Sequence, residues 1–175
     1  MNDYHHLFPD FPDKARLWVR ALDRPLDGAQ QKKLEAEMER ILSQWKTHGQ
    51  SIESTWSLLH DQLLIVVEKT VATQLTGCAI DGMLQQVHHL VEQLGLSLLD
   101  HQRVLFRRDH SLISAAKEEL KERLEEGSLN ASTPVIDLSL GQLGSLRRGQ
   151  LERPLAETWI GRKYGIRATA TAANL

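Results

Sequence analysis

The chain has 175 residues, 41% of them apolar and 25% charged, with a single cysteine and a formal charge of −2. That length and mixture predict one soluble folded domain and exclude wholesale disorder, collagen-like repeats and a disulfide scaffold. The balance of 21 Lys and Arg against 23 Asp and Glu argues against a general nucleic-acid or membrane-surface binder, while the lone Cys78 rules out an intrachain disulfide and fits a reducing compartment.

The opening MNDYHHLFPDFPDK has acidic residues where a signal peptide carries positive charge, and no apolar stretch follows. The longest apolar run, Leu63 to Val67, is five residues, against roughly 20 for a bilayer span. A cytoplasmic protein without membrane contact is expected. Arg16 to Leu22 alternates Arg16, Trp18 and Arg20 with Leu17, Val19 and Ala21, the period-two signature of a strand. Asp27 is placed to cap a helix whose Leu34, Met38, Ile41, Leu42 and Trp45 fall at helical spacing, and His48-Gly49 ends it.

Thr55 to Leu59 and Leu63 to Val67 predict a hairpin, the second strand apolar throughout as if covered on both faces. Thr76 and Gly77 open a second helix carrying a stripe from Ile80 to Leu94, stopped by Gly95. Arg103 to Arg107 alternates again as a fourth strand, and a third helix is predicted from about Ser111 to Glu126, supported by Glu119 and Arg123 four apart and ended by Gly127. The order β-α-β-β-α-β is that of a ferredoxin-like α+β unit. It puts both helices on one face of a four-stranded antiparallel sheet, with the first and third strands central and the opposite face bare.

After Gly127 the glycines and prolines break any long element, which divides the chain into a ferredoxin-like domain with its third helix at 1–127 and a C-terminal arm at 128–175. Residues 147 to 167 hold six Lys or Arg against two Glu, while the preceding 146 residues hold fifteen against twenty-one. This complementarity predicts an arm that wraps its own body or a partner subunit, a homodimer being the partner considered. The final ATATAANL is expected to fray.

Gly77-Cys78-Ala79-Ile80-Asp81-Gly82-Met83-Leu84 spaces two glycines as a P-loop does. It then places Met83 and Leu84 where that loop needs a phosphate-binding Lys and a Mg²⁺-binding Ser or Thr, so nucleotide hydrolysis there is not expected. The pieces Trp45-x-x-His48-Gly49, Trp56 and Thr76-Gly77-Cys78-Ala79-Ile80-Asp81 resemble an uncharacterised bacterial family of the Bacteroidetes and Chlorobi group, whose members are often labelled "ABC transporter ATPase". The resemblance runs over roughly residues 8 to 107 and more loosely around Trp159, and departs at Gly82, where the family pattern has Ser. It implies no known activity.

Two candidate sites follow from the residues. In the first, Cys78 at a helix N-terminus would gain thiolate character from unpaired N–H groups, with Asp81 as cap or proton acceptor and His48 as a third member; the competing reading is a structural thiol and a capping carboxylate. In the second, Arg16, Trp18 and Arg20 on the first strand, joined by Arg103 and Arg107 on the fourth, would cradle an anionic small molecule on the bare sheet face. Against it stand pairing of those arginines with acidic neighbours and a core role for Trp18. The eight histidines lack metal-ligand spacing, so neither metal nor cofactor is expected, and the third strand carries no aromatic on which a nucleic-acid base could stack. The two function classes are therefore a non-enzymatic ligand-binding or assembly module and a small thiol enzyme.

Overall fold

The structure is a computed structural model that describes residues 4–69 and 75–167; the C-terminal tail expected to fray lies outside them. In chain order the elements are β1 (Arg16–Ala21), α1 (Gly28–Ser43), β2 (Lys46–Thr47), β3 (Gln50–Ser51), β4 (Ser54–Leu59), β5 (Leu63–Glu68) and α2 (Gly77–Gln93). There follow β6 (Arg103–Arg108), β7 (Ser111–Ala116), α3 (Leu120–Glu125), β8 (Pro134–Ile136), α4 (Leu143–Arg147), β9 (Glu152–Pro154) and α5 (Trp159–Tyr164). This is a mixed α+β chain with antiparallel sheets.

It forms two compact units. Of the described residues, the first comprises 4–69, 75–100 and Leu138–Arg148, and the second comprises His101–Asp137 and 149–167. The chain after Gly127 supplies β8, β9 and α5 to the second unit and α4 to the first, so the division does not fall at residue 127.

In the first unit the local signals work as chemistry dictates. Asp27 accepts the Gln30 N–H at 2.8 Å while the Gln30 side chain accepts the Asp27 N–H at 2.9 Å, a reciprocal cap that satisfies two orphan donors of α1. Thr76 Oγ1 caps α2 by accepting the Ala79 N–H at 3.2 Å. Leu34, Met38, Ile41 and Leu42 of α1 and Met83, Val87, Leu90 and Val91 of α2 are buried in one core with Leu64 and Val66 of β5. Each such side chain contributes about 1.5 to 3 kcal/mol of transfer free energy.

The sheet of this unit runs β1-β5-β4, antiparallel, with Trp18 and Trp56 both opposite Val66. Trp18, Trp56 and Leu58 pack on the helix-bearing core, and Trp18 meets Trp45 edge-on with ring centroids 5.8 Å apart. The expected placement of Trp18 and the strand-one arginines on a bare face is therefore corrected: they lie on the helix side, where Trp18 tucks under Trp45. The opposite face is covered as well, since Leu17, Val19, Leu63, Ile65 and Val67 are all buried.

The fourth strand is a second correction. β6 does not join β1; it forms the second unit's sheet, ordered β7-β6-β8-β9. The cause is local. A tight turn at Asp109 and His110 folds Ser111–Ala116 back as β7, paired from Arg103↔Ala116 to Arg108↔Ser111. A hairpin closes a far shorter loop than a return to β1. The expected helix from Ser111 shrinks accordingly to a short turn at Lys117–Glu119 followed by α3, where the Glu119 to Arg123 ion pair forms at 3.4 Å. Phe106, Leu120, Leu129, Leu155 and Ile160 make the second unit's core. α5 sits so tightly on the turn before it that a Cβ at Gly161 would stand 2.5 Å from the Ala156 carbonyl oxygen.

Candidate functional site

The five residues of the expected anion cradle are not one cluster. Arg103 and Arg107 stand on β6 in the second unit, where Arg103 Nε donates to Ser114 Oγ at 3.0 Å and Arg107 Nε to Glu152 Oε2 at 2.5 Å. Arg16 lies directly across β1 and β5 from Glu68 and donates to its Oε1 at 2.6 Å. Glu68 and Glu152 are both buried, so each holds its arginine in a strong charge-assisted pair. The competing reading, acidic neighbours for the arginines, thus holds for Arg16 and Arg107.

Arg20 differs. It is half-buried, it has no carboxylate partner among the described residues, and its Nη1 donates to the Val19 carbonyl at 3.1 Å. Burial pushes its pKa below the ordinary arginine value, because desolvation penalises the cation. A guanidinium nevertheless stays charged throughout the physiological range. The result is a cation stripped of part of its water with one main-chain bond in return.

Around it lies a groove of about 380 Å³ lined by Arg16 to Arg20 of β1, Ile80 of α2 and the returning segment Leu138 to Gly141. Its floor is the outer edge of β1. At one end Leu17 donates its N–H to the Gly141 carbonyl at 3.2 Å; at the other Ala21 accepts the Leu99 N–H at 2.8 Å and Asp23 donates to Ser97 at 2.9 Å. Between these ends Val19 is buried, and its carbonyl accepts from Arg20 Nη1, so the returning segment and the guanidinium close this edge of β1. A second cavity, about 250 Å³, is shared by Arg20 with Asp81, Leu84, Gln85, His88 and Leu98.

In the second unit, a polar cavity of about 250 Å³ holds Arg107, Arg108, Ser128, Asn130, Ser132 and Thr133. Arg107 is committed to Glu152 and the Asp109 carbonyl, while the exposed Arg108 donates to the Ser128 carbonyl at 3.0 Å. Arg20 differs from Arg108 in being partly desolvated while holding a single main-chain acceptor.

The thiol constellation does not assemble. Cys78 is exposed in the first turn of α2, whose cap is Thr76 rather than Asp81. His48 sits in the β2–β3 turn with φ +49, and Asp81 lines the cavity it shares with Arg20. Among the described residues no hydrogen bond or ion pair joins Cys78, Asp81 and His48. The motif has a structural use instead: the Trp45 indole donates to the Ala79 carbonyl at 2.8 Å, tying the end of α1 to the start of α2. Among the described residues no group of three or more His, Cys, Asp or Glu could hold a metal ion, and no helix is long and apolar enough to cross a membrane.

Sequence reasoning found Arg20 and Trp18 but missed Leu138 to Gly141, Ile80 and Leu98. Leu138-Ser139-Leu140-Gly141 carries no chemical signal; only its distant return to β1 gives it a role. Comparison with family models, with curated proteins and with solved structures finds no match to this chain.

Proposed function

We propose that this protein is a non-enzymatic ligand-binding module whose groove beside β1 takes an anionic small molecule, with Arg20 as the charge partner and Trp18 as part of the apolar wall. The observation that carries this is the contrast among the arginines. Arg16 and Arg107 are each matched by a buried glutamate, whereas Arg20 has given up hydration without gaining a carboxylate. An anion entering the groove supplies the missing partner, and an interaction with a partly desolvated guanidinium gains more than one in open water.

The strand order β1-β5-β4 matches three strands of a ferredoxin-like sheet, in which a fourth would lie beside the first. On this reading the groove occupies the position of that strand. The exposed lone Cys78, with no disulfide partner, agrees with action in a reducing compartment, the cytoplasm. A thiol enzyme built on Cys78, Asp81 and His48 gains no support from their separate placements. Thermal-shift screening of the wild-type chain and Arg20→Gln against acetate, inorganic phosphate and small dicarboxylates tests the proposal: stabilisation by at least one anion, lost in the variant, is expected, and an unchanged melting temperature with all of them contradicts it.

A further inference from the structure

We infer that the outer edge of β4 is a docking surface for a second copy of this chain, which adds its own β4 antiparallel and joins the two three-stranded sheets into one. This is independent of the anion-binding reading. The register fixes which groups are free. Lys69 donates its N–H to the Glu53 carbonyl at 2.9 Å and Gln62 donates to the Leu59 carbonyl at 3.1 Å, so Thr55, Ser57 and Leu59 are the residues turned toward β5. Because hydrogen-bonding direction alternates along a strand, Ser54, Trp56 and Leu58 turn their main-chain N–H and C=O groups outward. β4 is the end strand of its sheet, no isolated bridge reaches it, and among the described residues no hydrogen bond uses the outward main-chain groups of these three. Every residue of β4 is partly exposed.

The other sheet edges are closed. β1 is bonded by Gly141 and Leu99 at its ends, with Arg20 on the Val19 carbonyl between them. Along β7 the same alternation, counted from the Lys117 N–H on the Gln102 carbonyl, turns Leu112, Ser114 and Ala116 outward. There Arg103 Nη2 donates to the Ser114 carbonyl at 3.2 Å and Glu119 accepts the Ala116 N–H at 3.3 Å. β9 is three residues long and ends in Pro154, which has no N–H. Short strands, proline and charged side chains laid on the edge are the devices that keep sheets from pairing with other chains. β4, Ser-Thr-Trp-Ser-Leu-Leu, carries neither proline nor charge.

The composition of this edge selects a second copy as its occupant. A twofold axis at Trp56 sets it opposite the partner's Trp56, and Ser54 opposite the partner's Leu58. The three outward residues of each strand then form three pairs, each exchanging two bonds, so every outward group is satisfied. In such an isologous interface a charge near the axis meets its own copy, and like charges directly opposite are destabilising. The strand avoids this: it is uncharged from Ser54 to Leu59 in a chain of which 25% is charged. A strand of this length offers less than the roughly 800 Å² per partner of a standard interface, so the dimer dissociates on dilution.

Sedimentation velocity of the full chain from roughly 1 μM to 1 mM, with amide hydrogen exchange at the same concentrations, tests this. A monomer–dimer equilibrium is expected, with exchange at Ser54, Trp56 and Leu58 slowing at least tenfold from dilute to concentrated samples. Excess synthetic peptide Ser-Thr-Trp-Ser-Leu-Leu should shift the equilibrium toward monomer. Ser54→Pro removes one outward donor while leaving the ladder to β5 intact, and should weaken dimerisation at least tenfold. The exchange measurement needs no variant, so a substitution that folds poorly does not decide the matter. A chain that stays monomeric throughout, or a dimer in which these three amides exchange as fast as in the monomer, overturns the proposal. So does a monomeric chain whose three amides are slowed by the added peptide alone, which makes the edge a peptide site instead.

Discussion

Trp45 and Ala79 are joined by a hydrogen bond of 2.8 Å from the indole nitrogen to the main-chain oxygen, linking the second residue beyond α1 to the first turn of α2. Trp45 is buried and lies edge-on against Trp18. The Trp45 and Cys78-Ala79 pieces of the sequence motif therefore meet in space, through packing and one bond rather than through the thiol. Trp45→Phe should lose the bond and part of the contact, at about 1 to 2 kcal/mol, and Trp45→Ala about 3 to 5 kcal/mol. Cys78→Ser, at an exposed position, should change stability by less than about 0.5 kcal/mol. Urea unfolding followed by circular dichroism measures all three.

Arg147 acts as a clamp on the N-terminal segment. It pairs with Asp13 at 2.5 Å and donates to the carbonyls of Phe8 at 2.7 Å and Phe11 at 3.0 Å. Its side chain is 15% exposed, so these bonds are only partly screened, and removing the donor leaves main-chain acceptors poorly hydrated. Arg147→Met, which keeps the aliphatic stem, should cost about 2 to 4 kcal/mol and speed proteolysis between residues 7 and 13. Equal proteolysis of variant and wild type would contradict the clamp.

In the second unit the close approach at Gly161 makes an alanine there collide with the Ala156 main chain. A clash with backbone relaxes only by shifting α5, so Gly161→Ala should destabilise by about 1 to 3 kcal/mol despite the higher helix propensity of alanine. Hydrogen exchange should rise at Ile160 and Phe106, both in this unit's core, and an alanine variant as stable as wild type would contradict the geometry.

His60 and Asp61 connect β4 to β5 with φ of +53 at both positions, a turn conformation that L residues adopt at a cost. The Asp61 carbonyl accepts the Leu26 N–H at 2.8 Å and the Gln62 side chain donates to the Leu22 carbonyl at 2.9 Å, so the surroundings hold the turn in place. Asp61→Gly keeps those main-chain bonds and should raise stability by about 0.5 to 1 kcal/mol, the relief of strain exceeding the added chain entropy. A fall in the unfolding midpoint would contradict this.

These elements also mark how far the sequence could be read. The caps at Asp27 and Thr76 and the stripes of α1 and α2 were legible because each is fixed by residues three or four apart, and β1, β4 and β5 because their side chains alternate or run apolar over a few positions. β7 was not legible. Ser-Leu-Ile-Ser-Ala-Ala has no sharp period, and the turn before it uses Asp109 and His110 where glycine would have signalled a hairpin. Mistaking β7 for helix then misplaced β6, and with it Arg103 and Arg107. Arg20 was visible as a cation on a strand; its lack of a partner depends on Glu68 lying opposite Arg16 in register, and its groove on Gly141 returning to Leu17 from more than a hundred residues away. Neither is encoded in local spacing.

The most direct test of the binding groove is the Arg20 guanidinium. In ¹⁵N–¹H correlation spectra of the labelled chain, addition of acetate should shift the Arg20 Nε–H resonance and the amides of Ile80 and Gly141, which line the groove, equally at any pH from about 6 to 9, because a guanidinium and a carboxylate both remain charged across that range. The amide shifts should vanish in Arg20→Gln. An unperturbed Arg20 resonance in the wild type, or the same amide shifts in the variant, would contradict the assignment of this groove as the site.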